Sequence, residues 1–506
     1  MQILNTIYLK IKIIIMKTKF ITIILLIISI QISIGQPNIE WQKSLGGTNS
    51  DVARSIMQTS DGGYIVAGYT TSNDGDVSVN NGSRDAWVVK LNNSGSIEWE
   101  KSYGGTGSDE AYEIQQTIDG GYILTGMSDS NDFLGTGFGN DDIIVIKTNN
   151  NGIVEWGNKF GTGAGERGHS VRQTSDGKYI VTGFIGGGGT WVAKLDNTGS
   201  LDGNWTNTTF SGSQAYSVDE TLDGGFVVAG YSNNGANGID VRVFKLNALS
   251  NVLWDYNYGG TGADYGYSIQ ETTDGGFIVA GMTQSSNGDV TNNYGNQDFW
   301  VLKLNASGIM QWQKTYGGTQ NDFATEIKQT SDGGYIVIGQ TNSDDNDVSG
   351  NPGSYIFDYW VIKLNETGQL IWQSCLGGSS NDYGSSIQQT VDGGYIAAGR
   401  SISNNYDVSG NNGNYDFWVA KLEAETLSLN DVFNQELNVY PNPVSETLYI
   451  SNTSNIKSVK IYDTTGKCVI NQKTVDYIDV RSLQPGIYFL KVLQDNLELT
   501  KKVIID

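Results

Sequence analysis

The sequence predicts an all-β fold, a seven-bladed β-propeller of four-stranded blades with a smaller β unit behind it. Three observations predict it. The phrase Asp-Gly-Gly-Tyr/Phe-Ile/Val recurs seven times, its Asp falling at positions 61, 119, 176, 223, 274, 332 and 392, and only the third copy (Asp176-Gly177-Lys178) is altered. Around each copy stand four short runs of β-branched and aromatic residues separated by Gly, Asn and Asp, which is what a meander of hairpins needs. The chain also carries 66 glycines and 11% aromatics but only 17% charged residues, and it lacks apolar runs at helical spacing.

In chain order, the first element is a secretory signal. Met16-Lys17-Thr18-Lys19 gives a short basic region, Phe20 to Ile34 is almost wholly apolar, and Ser33-Ile34-Gly35 has small residues at both ends, as a cleavage site needs. The expectation is a start at Met16, a signal peptide within residues 1–35 and a mature chain from about Gln36, with an uncleaved membrane anchor as the alternative reading of the same run. No second apolar run is long enough to span a membrane. Removing residues 1–35 removes Lys10, Lys12, Lys17 and Lys19 and no acid, so 31 − 4 = 27 basic residues face 54 acidic ones, a balance of −27. Such a chain repels nucleic acid and anionic membranes. It suits cations, basic partners or neutral glycans. Cys375 and Cys468 fall in different modules, so neither module has an internal disulfide.

The propeller is expected over residues 36–422. Blade 1 shows its four strands as Ser55–Thr59, Tyr64–Gly68, Asp85–Leu91 and Ile97–Tyr103. The strand order resembles the WD-repeat blade, in which a strand ending in Asp-Gly is innermost, although the Gly-His and Trp-Asp marks of that family are absent. Three inner strands occur seven times, but a Trp-bearing fourth strand follows only six of them, at Trp99, Trp156, Trp205, Trp254, Trp312 and Trp372. An orphan fourth strand, Ile39–Leu45 with Trp41, stands at the start. It is expected to complete the last blade and close the ring without a covalent join, removing a free sheet edge. Five further tryptophans (Trp87, Trp191, Trp300, Trp360, Trp418) mark third strands, and a lysine follows in every blade, at 90, 147, 194, 245, 303, 363 and 421. A lysine in every blade points to architecture over catalysis, and the repeated tryptophans are expected to fill the wedges between blades, with ligand-stacking platforms as the alternative.

Residues 423–436 are polar and acidic and read as a linker. The segment 437–506 opens on Tyr440-Pro441-Asn442-Pro443, continues through Tyr462-Asp463-Thr464-Thr465-Gly466-Lys467 and Leu483-Gln484-Pro485-Gly486-Ile487-Tyr488, and ends in Lys501-Lys502-Val503. This closely resembles the C-terminal sorting domain of the type IX secretion system of Bacteroidetes. The resemblance implies an immunoglobulin-like β-sandwich recognised by that machinery. It further implies export across both membranes to the medium or the outer-membrane surface, often with removal of the domain.

Candidate functional residues lie at the end of the propeller with long, variable loops. Four second-to-third loops share Asp-Val-Ser/Thr-x-Asn-x-Gly, from Asp76, Asp289, Asp347 and Asp407. Clustered oxygen ligands of this kind could hold calcium, or the residues could simply form turns. The fourth-to-first loops repeat Gly-Gly-Thr/Ser-x-x-Asp at Asp51, Asp109, Asp264, Asp322 and Asp382. A few residues on, the blades differ: Arg54, Tyr112, His169, Tyr216, Tyr267, Thr325 and Ser385. Those aspartates, with Tyr112, Tyr216 and Tyr267, are the expected ligand-binding set, with inter-blade packing as the alternative. His169 is the single histidine, which excludes a site of several histidines, and no nucleophile elbow flanks a serine. The functional expectation is a monomeric, secreted or surface-attached binding or adhesion protein for a glycan or a surface protein. The alternative is an extracellular carbohydrate-active enzyme using carboxylates on the long-loop face.

Overall fold

The computed structural model describes residues 33–186, 188–205, 208–233, 238–352, 355–425, 427–428, 439–450, 456–473, 477–494 and 497–506. The signal-peptide expectation falls on residues outside this set, save for the last few, and so does most of the expected linker. The described chain divides into two compact units, with the boundary between them at Thr426 and Leu427.

The first unit holds seven antiparallel four-stranded sheets. Blade 1 comprises Asp51–Gln58, Tyr64–Thr70, Asp85–Leu91 and Ile97–Tyr103 in that spatial order. Blades 2, 4, 5 and 6 repeat the order from Asp109, Ser213, Asp264 and Asp322. The inner strand of blade 1 begins four residues before the sequence pattern suggested, because Asp51 of the preceding loop already pairs with Thr70 of the second strand. Blade 3, the shortest copy, runs from Arg167 and ends in a four-residue strand, Thr208–Ser211. Trp205 therefore sits in a turn before that strand and not on it, its amide donating to the Asp202 carbonyl at 2.9 Å.

Blade 7 takes Asp382–Gln389, Tyr395–Ser401 and Asp416–Leu422 from the end of the unit and Ile39–Leu45 from its beginning. Ser44 lies opposite Trp418 and Trp41 opposite Lys421. The Trp418 indole N–H donates to Gln42 at 2.8 Å. Lys421 reaches Asp392 of its own blade at 3.0 Å and Glu40 of the N-terminal strand at 3.2 Å. Lys90 does the same in blade 1 with Asp61 and Glu98, both at 2.9 Å. Each of these buried lysines ties the Asp-Gly-Gly turn to its sheet, so the repeated lysine and the repeated Asp are one structural device.

The seams between blades are closed by side chains repeated with the blades. Each outer tryptophan packs on the first aromatic residue of the next blade's second strand: Trp99 on Tyr122 at 5.8 Å, Trp41 on Tyr64 at 5.6 Å. Trp205 packs on Phe226 at 5.3 Å despite its displaced backbone. Trp87, Trp300, Trp360 and Trp418 are fully buried. Around the axis, one side chain per blade accepts an amide of the next: Ser55 from Ile114, Glu113 from Val171, Ser170 from Val218, Ser217 from Ile269, Ser268 from Ile327, Glu326 from Ile387 and Ser386 from Ile56. The last of these returns to blade 1.

The second unit packs a three-stranded sheet against a four-stranded one. Leu448, Ile450 and Ile478 from the first and Val459, Ile461, Leu490, Val492 and Val503 from the second share one core. The Asp463 carboxylate receives the amides of Thr465 and Lys467, which fixes the hairpin seen in the sequence. Among the described residues no helix is long and apolar enough to cross a membrane.

Candidate functional site

Each inner strand pairs with its neighbour through one extra residue. The register skips between Ala53 and Ser55, Ala111 and Glu113, Gly168 and Ser170, Ala215 and Ser217, Gly266 and Ser268, Ala324 and Glu326, and Gly384 and Ser386. A bulged residue is freed from the ladder and its side chain is re-aimed. The seven bulged residues are Arg54, Tyr112, His169, Tyr216, Tyr267, Thr325 and Ser385, and all seven line one cavity at the axis. The position that varies between repeats is thus the position that the backbone turns toward the axial channel.

The mouth of about 400 Å³ is lopsided. Tyr112, His169, Tyr216 and Tyr267 form a continuous aromatic wall across four blades, with ring separations of 5.2, 4.9 and 5.1 Å. Arg54 extends the wall, its guanidinium 5.4 Å from the Tyr112 ring. Blades 6 and 7 contribute only Thr325 and Ser385, so the wall opens there. Burial, with Arg167 and Arg54 nearby, drives the His169 imidazole down to about 3, so it is neutral in any ordinary medium. Its Nε2 is buried without a hydrogen-bond partner. Burial raises the phenols of Tyr112, Tyr216 and Tyr267, which therefore stay protonated. Below the mouth lies a polar chamber of about 380 Å³ lined by Glu113, Arg172, Asp219, Glu326 and Lys328. There Arg172 pairs with Glu113, and Lys328 with Glu326 at 2.8 Å.

The structure brings Tyr112, Tyr216 and Tyr267 together and separates the aspartates from them. Asp51, Asp109, Asp264, Asp322 and Asp382 are all 0% exposed. Asp51 accepts from Thr70 at 2.5 Å, Ser72 at 2.8 Å and the Gly47 amide at 2.8 Å. Ser130 and Gly105 hold Asp109, and Thr283 and Ser285 hold Asp264. Asp322 is held by Thr341 and Ser343, and Asp382 by Ser401 and Ser403. These carboxylates organise loops, and none of them lines the mouth. The four Asp-Val-Ser/Thr aspartates lie one each in blades 1, 5, 6 and 7. Asp76, Asp289, Asp347 and Asp407 accept the amides of Gly46, Gly259, Gly317 and Gly377. Among the described residues no three His, Cys, Asp or Glu side chains converge as a metal ion requires.

A feature missed in the sequence is the carboxyl pair at the blade seams. An Asp opens the third strand region in six blades, at 85, 142, 240, 298, 358 and 416, and each faces the acid that opens the next blade. A Cβ on Gly377 would come 2.2 Å from Asp358 Oδ1 and 2.7 Å from Asp382 Oδ2, and Gly317 stands the same way between Asp298 and Asp322. Burial and the facing acid push Asp358 up to about 9. Asp298 and Asp416 rise to about 7 and Asp322 to about 6, burial again being the main cause. The seam between blades 3 and 4 substitutes two hydroxyls, Thr190 and Ser213, 2.9 Å apart. The signal was present as an Asp repeated at the start of six third strands, but only the ring geometry shows that it meets another acid.

Residues 438–506 match the family described as the secretion system C-terminal sorting domain. The tail is thus a sorting signal of the type IX machinery, and the chain carries it behind a β-propeller. No curated protein matches the chain at a significant level. Among solved structures, Sqt1 from Chaetomium thermophilum is similar at 12% identity and a TM-score of 0.42, over 77% of this chain and 99% of that one. BBS1N, solved in complex with ARL6DN, is similar at 9% identity and a TM-score of 0.43, over 78% and 99%. The fold assignment rests on the strand order and ring closure described above.

Proposed function

We propose that the protein is a secreted or surface-attached binding protein that takes a saccharide into the mouth of its axial channel. The observation that supports this is the aromatic wall of Tyr112, His169, Tyr216 and Tyr267, with an unpartnered imidazole nitrogen in it. Pyranose rings present apolar C–H faces to such walls and hydroxyls to such nitrogens. A buried polar atom without a partner costs free energy unless a ligand supplies one. The acids nearest the axis do not look like catalytic groups. Glu113 and Glu326 each accept an amide of the next blade and an ion-pair partner from the chamber, which accounts for them structurally.

Titration calorimetry of the mature chain with a panel of oligosaccharides tests the reading. A saccharide is expected to bind one per chain without being turned over. Tyr216→Ala, which takes out the centre of the wall, should weaken it about tenfold or more. Binding that ignores Tyr216→Ala, or hydrolysis of the bound sugar, would sink the proposal. The export route has its own test. A chain ending at Leu422 should accumulate inside the cell as a folded propeller, absent from medium and surface on fractionation. Its appearance outside at full-length levels would show that the tail is dispensable.

A further inference from the structure

Beside the mouth, over the seam where blade 7 meets blade 1, lies a second groove of about 380 Å³ lined by Ser50, Tyr69, Thr71, Arg84, Arg400 and Tyr415, together with Val52. It contains two arginines and no acid, in a chain with 54 acidic residues against 31 basic. Four of the seven arginines (Arg54, Arg84, Arg167 and Arg400) belong to this end of the propeller. Arg84 pairs with Glu110, and Arg54 reaches the same carboxylate at 3.7 Å. Two of the three guanidiniums at the groove and mouth thus share one carboxylate. Arg400 has no carboxylate within ion-pair distance among the described residues, and its buried Nε lacks a hydrogen-bond partner. Two tyrosine rings hold it in place instead, Tyr383 at 4.4 Å and Tyr415 at 5.1 Å from the guanidinium carbon. A guanidinium oriented by rings and left without an anion is set up to receive one.

The groove is joined to the mouth. Arg54 lines the mouth and lies 5.4 Å from the Tyr112 ring of its aromatic wall. The same guanidinium is 5.9 Å from the Tyr69 ring, which lines the groove. A ligand longer than one sugar ring could therefore stack in the mouth and extend over Arg54 to Arg84 and Arg400. We propose that the groove is an anion-accepting subsite and that the natural ligand is an acidic saccharide bearing a carboxylate or a sulfate ester. This rests on the reading of the mouth as a saccharide site, and it narrows a choice that the overall negative charge of the chain would have decided toward neutral glycans.

Calorimetry of the full mature chain with trigalacturonate, its methyl ester and a sulfated disaccharide tests it. Trigalacturonate or the sulfated sugar is expected to bind, and Arg400→Gln to weaken that binding about tenfold, the loss of one charge-assisted contact. Methyl-ester binding should not respond to Arg400→Gln, and only anion binding should weaken between about 50 and 200 mM salt. Tighter binding of the uronate or of the sulfate identifies the source of the anion, and either supports the subsite. Equal binding of acid and ester, or anion binding indifferent to Arg400→Gln, overturns it. If the ester binds and responds only to Tyr216→Ala, the mouth stands and the subsite falls. If the acid responds only to Arg400→Gln, the subsite stands and the mouth falls. Arg400→Lys keeps the charge and the stem, so it should retain part of the affinity and melt like the parent, which separates lost contact from lost fold.

Discussion

A chain lacking residues 36–47 is expected not to form a closed propeller. Those residues hold the outer strand of blade 7, and their loss uncovers the whole edge of Asp416–Leu422. It also removes Trp41 from the ring of Tyr64, Glu40 from buried Lys421, and the partner of the Trp418 indole. An open, apolar sheet edge and a buried lysine left with Asp392 as its one carboxylate together cost several kcal/mol, against a total stability of about 5–15 kcal/mol. Trp41→Ala alone is expected to cost about 2 kcal/mol, less than a truncation in a packed core because Trp41 is only partly buried. Urea unfolding followed by tryptophan fluorescence reads both. The decisive companion is a permuted chain with residues 36–47 moved behind Leu422. Because the closing strand is held only by non-covalent contacts, that chain should fold and melt close to the parent. A deletion variant that melts like the parent would refute the closure as a source of stability.

The second large effect is a loss of stability with rising pH. Asp358, Asp298, Asp416 and Asp322 carry folded-state values of about 9, 7, 7 and 6 against 3.8 for the free side chain. A group raised on folding contributes stability that is complete below its unfolded value and is lost as pH climbs through the folded one. These four therefore weaken the fold between about pH 4 and pH 9. The turn aspartates act oppositely. For Asp61, Asp119 and Asp274, burial is outweighed by a threonine hydroxyl and a lysine, while at Asp223 the contact with Lys245 leads; all four are held at about 2. Their contribution is complete above 3.8 and fails only in strong acid. Stability should peak near pH 4–6 and decline steadily toward pH 9. Asp358→Asn keeps the shape, supplies an N–H to Asp382 and removes the charge conflict. It should stabilise the chain at pH 8 by about 1–3 kcal/mol and flatten the decline. Urea midpoints at pH 5, 7 and 9 check this, and a midpoint that rises with pH would contradict it.

The ring was readable because its evidence is periodic. A count of outer strands, with one spare at the start and one missing at the end, is a topological fact that needs no coordinates. The bulge was not readable. It places Asp51 and its equivalents inside the sheet and Tyr112 and its equivalents at the axis, and nothing in the composition distinguishes the two positions. What the sequence did offer was variation: a site that is Arg, Tyr, His, Tyr, Tyr, Thr and Ser in seven otherwise similar repeats. The repeated aspartates looked more like ligands because acids clustered in loops usually do. Their burial follows from the Gly-Gly pair before them, which lets the loop fold close enough to donate an amide to the carboxylate, as Gly47 does to Asp51. Trp205 shows the reverse case, where the side chain keeps its place while the strand around it is shortened.

The lopsided mouth also sets a stoichiometry. Propeller blades are near copies, and a site built into each blade would offer seven equivalent attachments to one ligand array. Here the copies differ at the bulged position, so the sevenfold frame presents an asymmetric recess at the axis, which on the proposed reading would accept a ligand in one orientation. On that reading each chain grips one ligand end, and tight adherence to a polymeric surface would not arise within a molecule. It has to come from many chains displayed side by side, where linked weak contacts multiply. Sorting to the cell exterior and a one-site head would in that case be two halves of the same design: the tail provides the density that the propeller, by breaking its own symmetry, gave up.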